Sequence, residues 1–88
     1  EDAVKAFLKV IELDKYDKRA WYNLGNSYRN RGLLLEAEKA YKEALKIDGD
    51  YFFALLNLHG VLCWQGKSKE AEEIKKRMNE VSKKLSPE

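Results

Sequence analysis

A chain of 88 residues with 44% hydrophobic and 36% charged residues suits one small, helix-rich domain with a modest core. Its formal net charge of +2, with acidic and basic residues interspersed, argues against nucleic acid or an anionic membrane as partner. No apolar run approaches the roughly 20 residues of a bilayer span, and no charged-then-apolar signal segment opens the chain. A single cysteine excludes an internal disulfide framework and fits a reducing compartment, the cytoplasm.

The first predicted element is a helix over residues 2–13, with Ala3, Phe7, Val10 and Ile11 on one face. Asp14-Lys15-Tyr16-Asp17 reads as a turn. A second helix covers residues 18–30, and its Trp21, Leu24 and Tyr28 recur at three- and four-residue steps along one face. Gly25 lies beside them, where a missing side chain lets a second helix approach, and Gly32 suits the left-handed conformation that ends a helix. The third helix covers 34–47, with Ala37 and Ala44 as a small-residue seam and Tyr41 as the bulky plug between them. Asp48-Gly49-Asp50 is a second turn. The fourth helix covers 51–64 and ends at Gln65-Gly66. Ser68 suits the N-cap of a fifth helix over 69–84, whose Glu70, Glu72 and Glu73 complement the helix dipole. Ala71, Ile74, Met78, Val81 and Leu85 form a narrow apolar stripe there, as expected of a terminal helix whose outer face meets water.

A shift of 34 residues superposes much of the chain on itself. Asp2, Glu36 and Glu70 align, each followed by alanine at Ala3, Ala37 and Ala71. Ala20, Asn23 and Leu24 fall on Ala54, Asn57 and Leu58, Gly32 on Gly66, and Phe7 on Tyr41, while Leu13, Ile47 and Val81 align. The chain therefore reads as about two and a half copies of one helical hairpin. The expected division is a second helix of a truncated repeat over 1–17, a full repeat over 18–51, and a full repeat over 52–85 that ends in the capping helix.

The run Trp21-x2-Leu24-Gly25-x2-Tyr28, then Gly32, Ala37, Tyr41 and Ala44, resembles the tetratricopeptide repeat (TPR), with Tyr41 where that pattern has Phe. The resemblance implies an all-α fold, an α-α superhelix: a right-handed solenoid of antiparallel helix pairs, here five helices in a single TPR domain. The family usually carries Pro in the turns, where this chain has Lys15 and Gly49. It also implies that the first helix lacks its hairpin partner. The apolar face of that helix is then expected to meet upstream repeats of a longer array or another chain.

No catalytic, cofactor or metal site emerges, and no enzyme activity is expected. His59 and Cys63 are the only residues of their types and lie four apart, but no third group is in place to activate a thiolate and there are too few ligands for zinc. Cys63 is expected to be a small buried residue. His59 aligns with Gly25, so either the fourth and fifth helices splay or His59 turns outward, with Gly60 relieving part of the crowding. Most carboxylates read as solvated faces and i,i+4 partners, such as Glu38 with Lys42.

By resemblance, the first helix of each hairpin lines the concave face. This assigns Arg19, Tyr22, Asn23, Asn26, Arg29 and Asn30 from the second helix, and Phe53, Leu56, Asn57, Gly60 and Trp64 from the fourth, to a protein- or peptide-binding groove. Asn23 and Asn57 match a family position that often bonds a bound peptide's backbone, since an amide both donates and accepts; helix-end or inter-helix bonding is the equal alternative. A carboxylate clamp of the kind that holds chaperone C-termini is not expected, because Tyr22 stands where its Lys would be. Arg19, Arg29 and Arg31 with Phe53, Leu56 and Trp64 suit an amphipathic or acidic-apolar peptide, or a partner helix; packing of Phe53 and Leu56 beneath neighbouring repeats is the alternative. The expected function is a protein–protein interaction scaffold. The alternative is a structural self-association module, a homo-oligomer formed through the exposed first helix.

Overall fold

The computed structural model describes residues 2–85, and the side chains of residues 3–84. Among the described residues there are five helices and no strand: α1 Asp2–Leu13, α2 Lys18–Asn30, α3 Leu34–Ile47, α4 Phe52–Trp64 and α5 Ser68–Leu85. None is long and apolar enough to cross a membrane. The chain is elongated, 40 × 28 × 16 Å.

The turns form without proline because aspartate does the local work. Asp14 accepts from the Tyr16 amide at 3.1 Å, and Asp48 accepts from the Asp50 amide at 3.0 Å. Each is a side-chain turn that closes the chain two residues on. Asp17 then caps α2, accepting from the amides of Arg19 at 3.1 Å and Ala20 at 3.3 Å. The helix C-termini depend on glycine: Gly32 and Gly66 hold φ of +78° and +77°, a region costly for any residue with a Cβ. Ser68 is not the N-cap of α5. The Ala71 amide bonds to the Lys67 carbonyl at 2.9 Å, so the helix starts at Ser68 directly after the glycine turn. Likewise Tyr51 precedes α4 as its cap residue and lends no side-chain bond.

α2 packs on α3 and α4 on α5 as hairpins, α3 on α4 joins them, and α1 packs on α2. The core runs through Ala37, Tyr41, Leu58, Val61, Leu62 and Ala71, with Leu34, Leu45 and Ile74 against it. Tyr41 is fully buried, as are Ala37 and Ala44 on either side of it. Gly25 does not admit a neighbouring backbone so much as this one ring: a Cβ there would sit 2.6 Å from Tyr41 Cε1. Trp21 is only half-buried, its indole N–H donating to the Lys15 carbonyl at 2.9 Å across the turn.

In the second hairpin, His59 and Lys75 occupy the positions of Gly25 and Tyr41. With an exposed lysine in place of a buried ring, the histidine meets no plug, and α5 stays packed on α4. His59 is half-buried and its ring lies 3.8 Å from Cys63 Sγ. Cys63 is exposed, contrary to the expectation of a buried small residue. Leu85 of the predicted α5 stripe has a side chain outside the described residues. Ala71 and Val81 are buried and Ile74 and Met78 half-buried.

Glu38 departs furthest from its predicted role. It does pair with Lys42, at 2.7 Å, but it is 5% exposed rather than solvated. Lys67 at 3.0 Å and the Gln65 amide at 2.9 Å reach it from the turn between α4 and α5. Burial pushes its carboxyl up, but the hydrogen bonds from Lys42, Gln65 and Lys67 outweigh that and hold its pKa at about 2. One carboxylate on α3 thus fastens the next hairpin's turn. At the opposite end Asp50 accepts from Arg77 at 2.7 Å and Lys84 at 3.1 Å, drawing α5 to the preceding turn.

Candidate functional site: the face of helices two and four

The backbone of α2 approaches α4, whereas α1 does not approach α3 and α3 does not approach α5. The first helices of the two hairpins therefore lie side by side and share one face. Each has 13 residues, so the shared face is about 20 Å long at 1.5 Å per residue. That length matches about six residues of extended peptide.

The middle of the face is fixed by hydrogen bonds between the helices. Asn57 of α4 donates from Nδ2 to Asn26 Oδ1 at 2.8 Å and to Tyr22 Oη at 3.2 Å, both on α2. Asn26 Oδ1 also accepts from the hydroxyl of Tyr41 beneath it. The buried ring of α3 is thereby connected through α2 to α4. Asn57 and Asn26 engage these groups in inter-helix bonding, the structural alternative for such residues. Asn23, the equivalent of Asn57 one repeat earlier, is half-buried and makes no side-chain hydrogen bond among the described residues.

At the N-terminal end of the two helices, aromatic rings gather. Tyr22 lies 5.4 Å from Tyr51, 6.4 Å from Phe53 and 6.0 Å from Tyr41, centroid to centroid. Such tilted pairs suit ring quadrupoles. Lys18 bonds to Asp48 and sits 4.7 Å over the Tyr51 ring. Its hydrogen bond holds the Asp48 carboxyl below its ordinary pKa. Burial raises the Tyr51 and Tyr41 hydroxyls above theirs, so both stay protonated. Arg19 is exposed beside this cluster, as is Asn30 at the far end of α2. Phe53 is 60% exposed, not packed beneath a neighbour.

At the C-terminal end is an open hollow of about 460 Å³, lined by Arg29, Leu56, Asn57, Gly60, Val61, Cys63 and Trp64. Leu56 is 45% and Trp64 72% exposed. Gly60 forms part of its wall, and a Cβ there would meet no atom within 4 Å. The structure thus brings Arg29, Leu56, Asn57 and Trp64 into one hollow, and Tyr22 and Phe53 into an aromatic patch. Sequence reasoning did not pick out Tyr51 or Cys63 for this face. Tyr51 was readable as an aromatic at a helix start; nothing in the spacing marked Cys63 as exposed. Among the described residues no cluster of three metal-ligating side chains exists.

Residues 19–51 match the sequence model of the tetratricopeptide repeat. No curated protein matches the sequence. Among solved structures, a crystal structure of MamA superposes with a TM-score of 0.92 at 24% identity over 97% of this chain and 50% of that one. An arginine-to-glutamate mutant of MamA superposes with a TM-score of 0.80 at 24% identity over 85% of this chain and 55% of that one. The chain spans about half the length of these two neighbours. Residues 19–51 are thus similar to one tetratricopeptide repeat, and the five helices share the fold of the MamA structures.

Proposed function

We propose that this chain is an interaction module that binds a segment of a partner protein along the face of α2 and α4. The observation that carries this reading is the exposure of Phe53, Leu56 and Trp64 on one helix, α4, that otherwise supplies much of the core. Large apolar side chains clustered in the open mark interaction surfaces more often than scattered ones do. The cross-helix bonds of Asn57 support it further, because they hold the two walls at fixed spacing before any partner arrives and so reduce the ordering cost of binding. The exposed thiol of Cys63 suits a reducing compartment, the cytoplasm.

A random peptide library selected on the domain tests this. Selected peptides should slow maleimide labelling of Cys63, which lines the hollow, and shift amide resonances of α2 and α4. Gly60→Leu should abolish binding without lowering the melting temperature, since its side chain grows into open space. An empty selection, or peptides that shift α1 or α5 and tolerate Gly60→Leu, defeats the proposal.

Self-association is a second reading, favoured by α1, where Leu8, Val10 and Leu13 are exposed. Sedimentation separates it: dimers abolished by Leu8→Glu and Val10→Glu support it, and a strict monomer at high concentration excludes it.

A further inference from the structure

The charges of this protein are segregated by helix. Helices α2 and α4 contain no Asp or Glu; their only formal charges are Lys18, Arg19 and Arg29, and α4 carries none at all. Among the described residues the acidic ones belong to α1, α3, α5 and the turns. Lys18 is already engaged by Asp48. Arg19 follows the N-cap carboxylate of Asp17 by two residues. Arg29 differs from both. It is half-buried at the rim of the hollow, and no carboxylate pairs with it among the described residues. The hollow therefore presents one uncompensated guanidinium beside two exposed apolar side chains, Leu56 and Trp64.

We propose that the hollow selects a peptide segment in which a carboxylate side chain neighbours a large apolar one, the carboxylate seated on Arg29 and the apolar group against Leu56 and Trp64. This rests on the reading of the α2–α4 face as a peptide groove and names what that groove prefers. A guanidinium is a planar fork of donors that matches a carboxylate's two oxygens, and a partly desolvated pair of that kind is stronger than one in open water. The apolar neighbour excludes water from the pair and adds burial of its own. The absence of acidic side chains from both walls removes the repulsion that would otherwise oppose such a ligand, and leaves a basic ligand without a counter-charge. Arg29 confers the charge preference, while Leu56, Trp64 and the open space at Gly60 confer the apolar one.

The test compares peptides selected from a random library by the unaltered chain, by Arg29→Gln and by Arg29→Glu, all with matched melting temperatures. The unaltered chain should enrich Asp or Glu next to Phe, Leu, Met or Trp. Arg29→Gln should weaken the best acidic peptide about tenfold, as loss of a charge-assisted pair predicts, and flatten its salt dependence. Arg29→Glu should shift the enrichment toward Lys and Arg while keeping the apolar neighbour. Gly60→Leu should remove all binding irrespective of peptide charge. Selection of neutral or basic peptides, unaltered in Arg29→Gln but lost in Gly60→Leu, overturns the charge preference and leaves the groove intact. Binding that survives Gly60→Leu overturns the groove itself. Dimers of the chain that Gly60→Leu disperses would place a second copy in the hollow and likewise overturn the proposal.

Discussion

Gly25 and Tyr41 form one unit: the ring of Tyr41 lies where the Cβ of any other residue at position 25 would be, 2.6 Å from its Cε1. Glycine inside a helix normally costs about 1 kcal/mol relative to alanine. Here that cost is offset by the burial of a whole aromatic side chain, whose hydroxyl also bonds to Asn26. Gly25→Ala is therefore expected to destabilise by about 1–3 kcal/mol, as overpacking does, despite its better helix propensity. In a double-mutant cycle with Tyr41→Ala, the penalty of Gly25→Ala should largely vanish. Urea melts that show Gly25→Ala to be neutral or stabilising would remove the steric account.

Gly60 is the opposite case on the next first helix. Nothing lies within 4 Å of its absent Cβ, and its φ is not positive. Gly60→Ala should stabilise the fold by about 0.5–1 kcal/mol through helix propensity alone. Thermal melts of the two alanine variants should move in opposite directions; a matched shift means that the two sites do not differ as described.

These two glycines also mark what was legible in the sequence. The repeat spacing and the apolar periodicity were enough to place all five helices to within a residue or two, because helix period and glycine caps are local signals. The alanine seam at Ala37 and Ala44 and the plug at Tyr41 followed from the same spacing. Contacts between hairpins were not legible. Glu38 reads as an ordinary surface i,i+4 partner of Lys42, since nothing near it in sequence announces that Gln65 and Lys67 reach it from a turn 27 and 29 residues on. Cys63 was misjudged for a related reason: it lines the open hollow beside Arg29 of α2, and only the assembled stack shows that this side of α4 stays open. For the candidate groove, the family pattern assigned helix faces but not the bonds of Asn57 to Tyr22 and Asn26, because those partners lie 35 and 31 residues away in sequence.

Asn57 supplies the side-chain hydrogen bonds across α2 and α4. Asn57→Ala should cost about 1 kcal/mol, the usual net value of such bonds plus the loss of a donor for Tyr22 and Asn26. In a stacked repeat this loss falls on the interface between neighbours. Hydrogen exchange in α4 and α5 should accelerate more than in α3. Equal acceleration everywhere would show that the bond is not an interface link.

Glu38 makes stability depend on acid in a definite direction. Its carboxyl titrates at about 2 in the folded chain against 4.5 in the ordinary one. A depressed folded value means that the unfolded chain takes up the proton first as pH falls. The stabilisation is therefore complete above about pH 4.5 and is lost progressively toward pH 2. Its size is on the order of 2–3 kcal/mol. Glu38→Gln should lower stability at neutral pH by about that amount and flatten this part of the acid profile. An unaltered slope between pH 4.5 and 2 in Glu38→Gln would assign the acid sensitivity to other carboxylates.

Trp21 opens the repeat motif, yet the structure ranks it below Tyr41 in the core. It is half-buried and its indole holds the turn at Lys15, so Trp21→Ala should cost about 1–2 kcal/mol, roughly half the value of burying a large apolar side chain completely. Tyr41→Ala removes a fully buried ring from between two helices and should cost about 3–5 kcal/mol. Ala37→Leu, at a position with no exposed surface, should cost about 1–3 kcal/mol by forcing the α2–α3 seam apart. Denaturant midpoints should therefore fall furthest for Tyr41→Ala. If Trp21→Ala is the most damaging of the three, the tryptophan and not Tyr41 anchors the core.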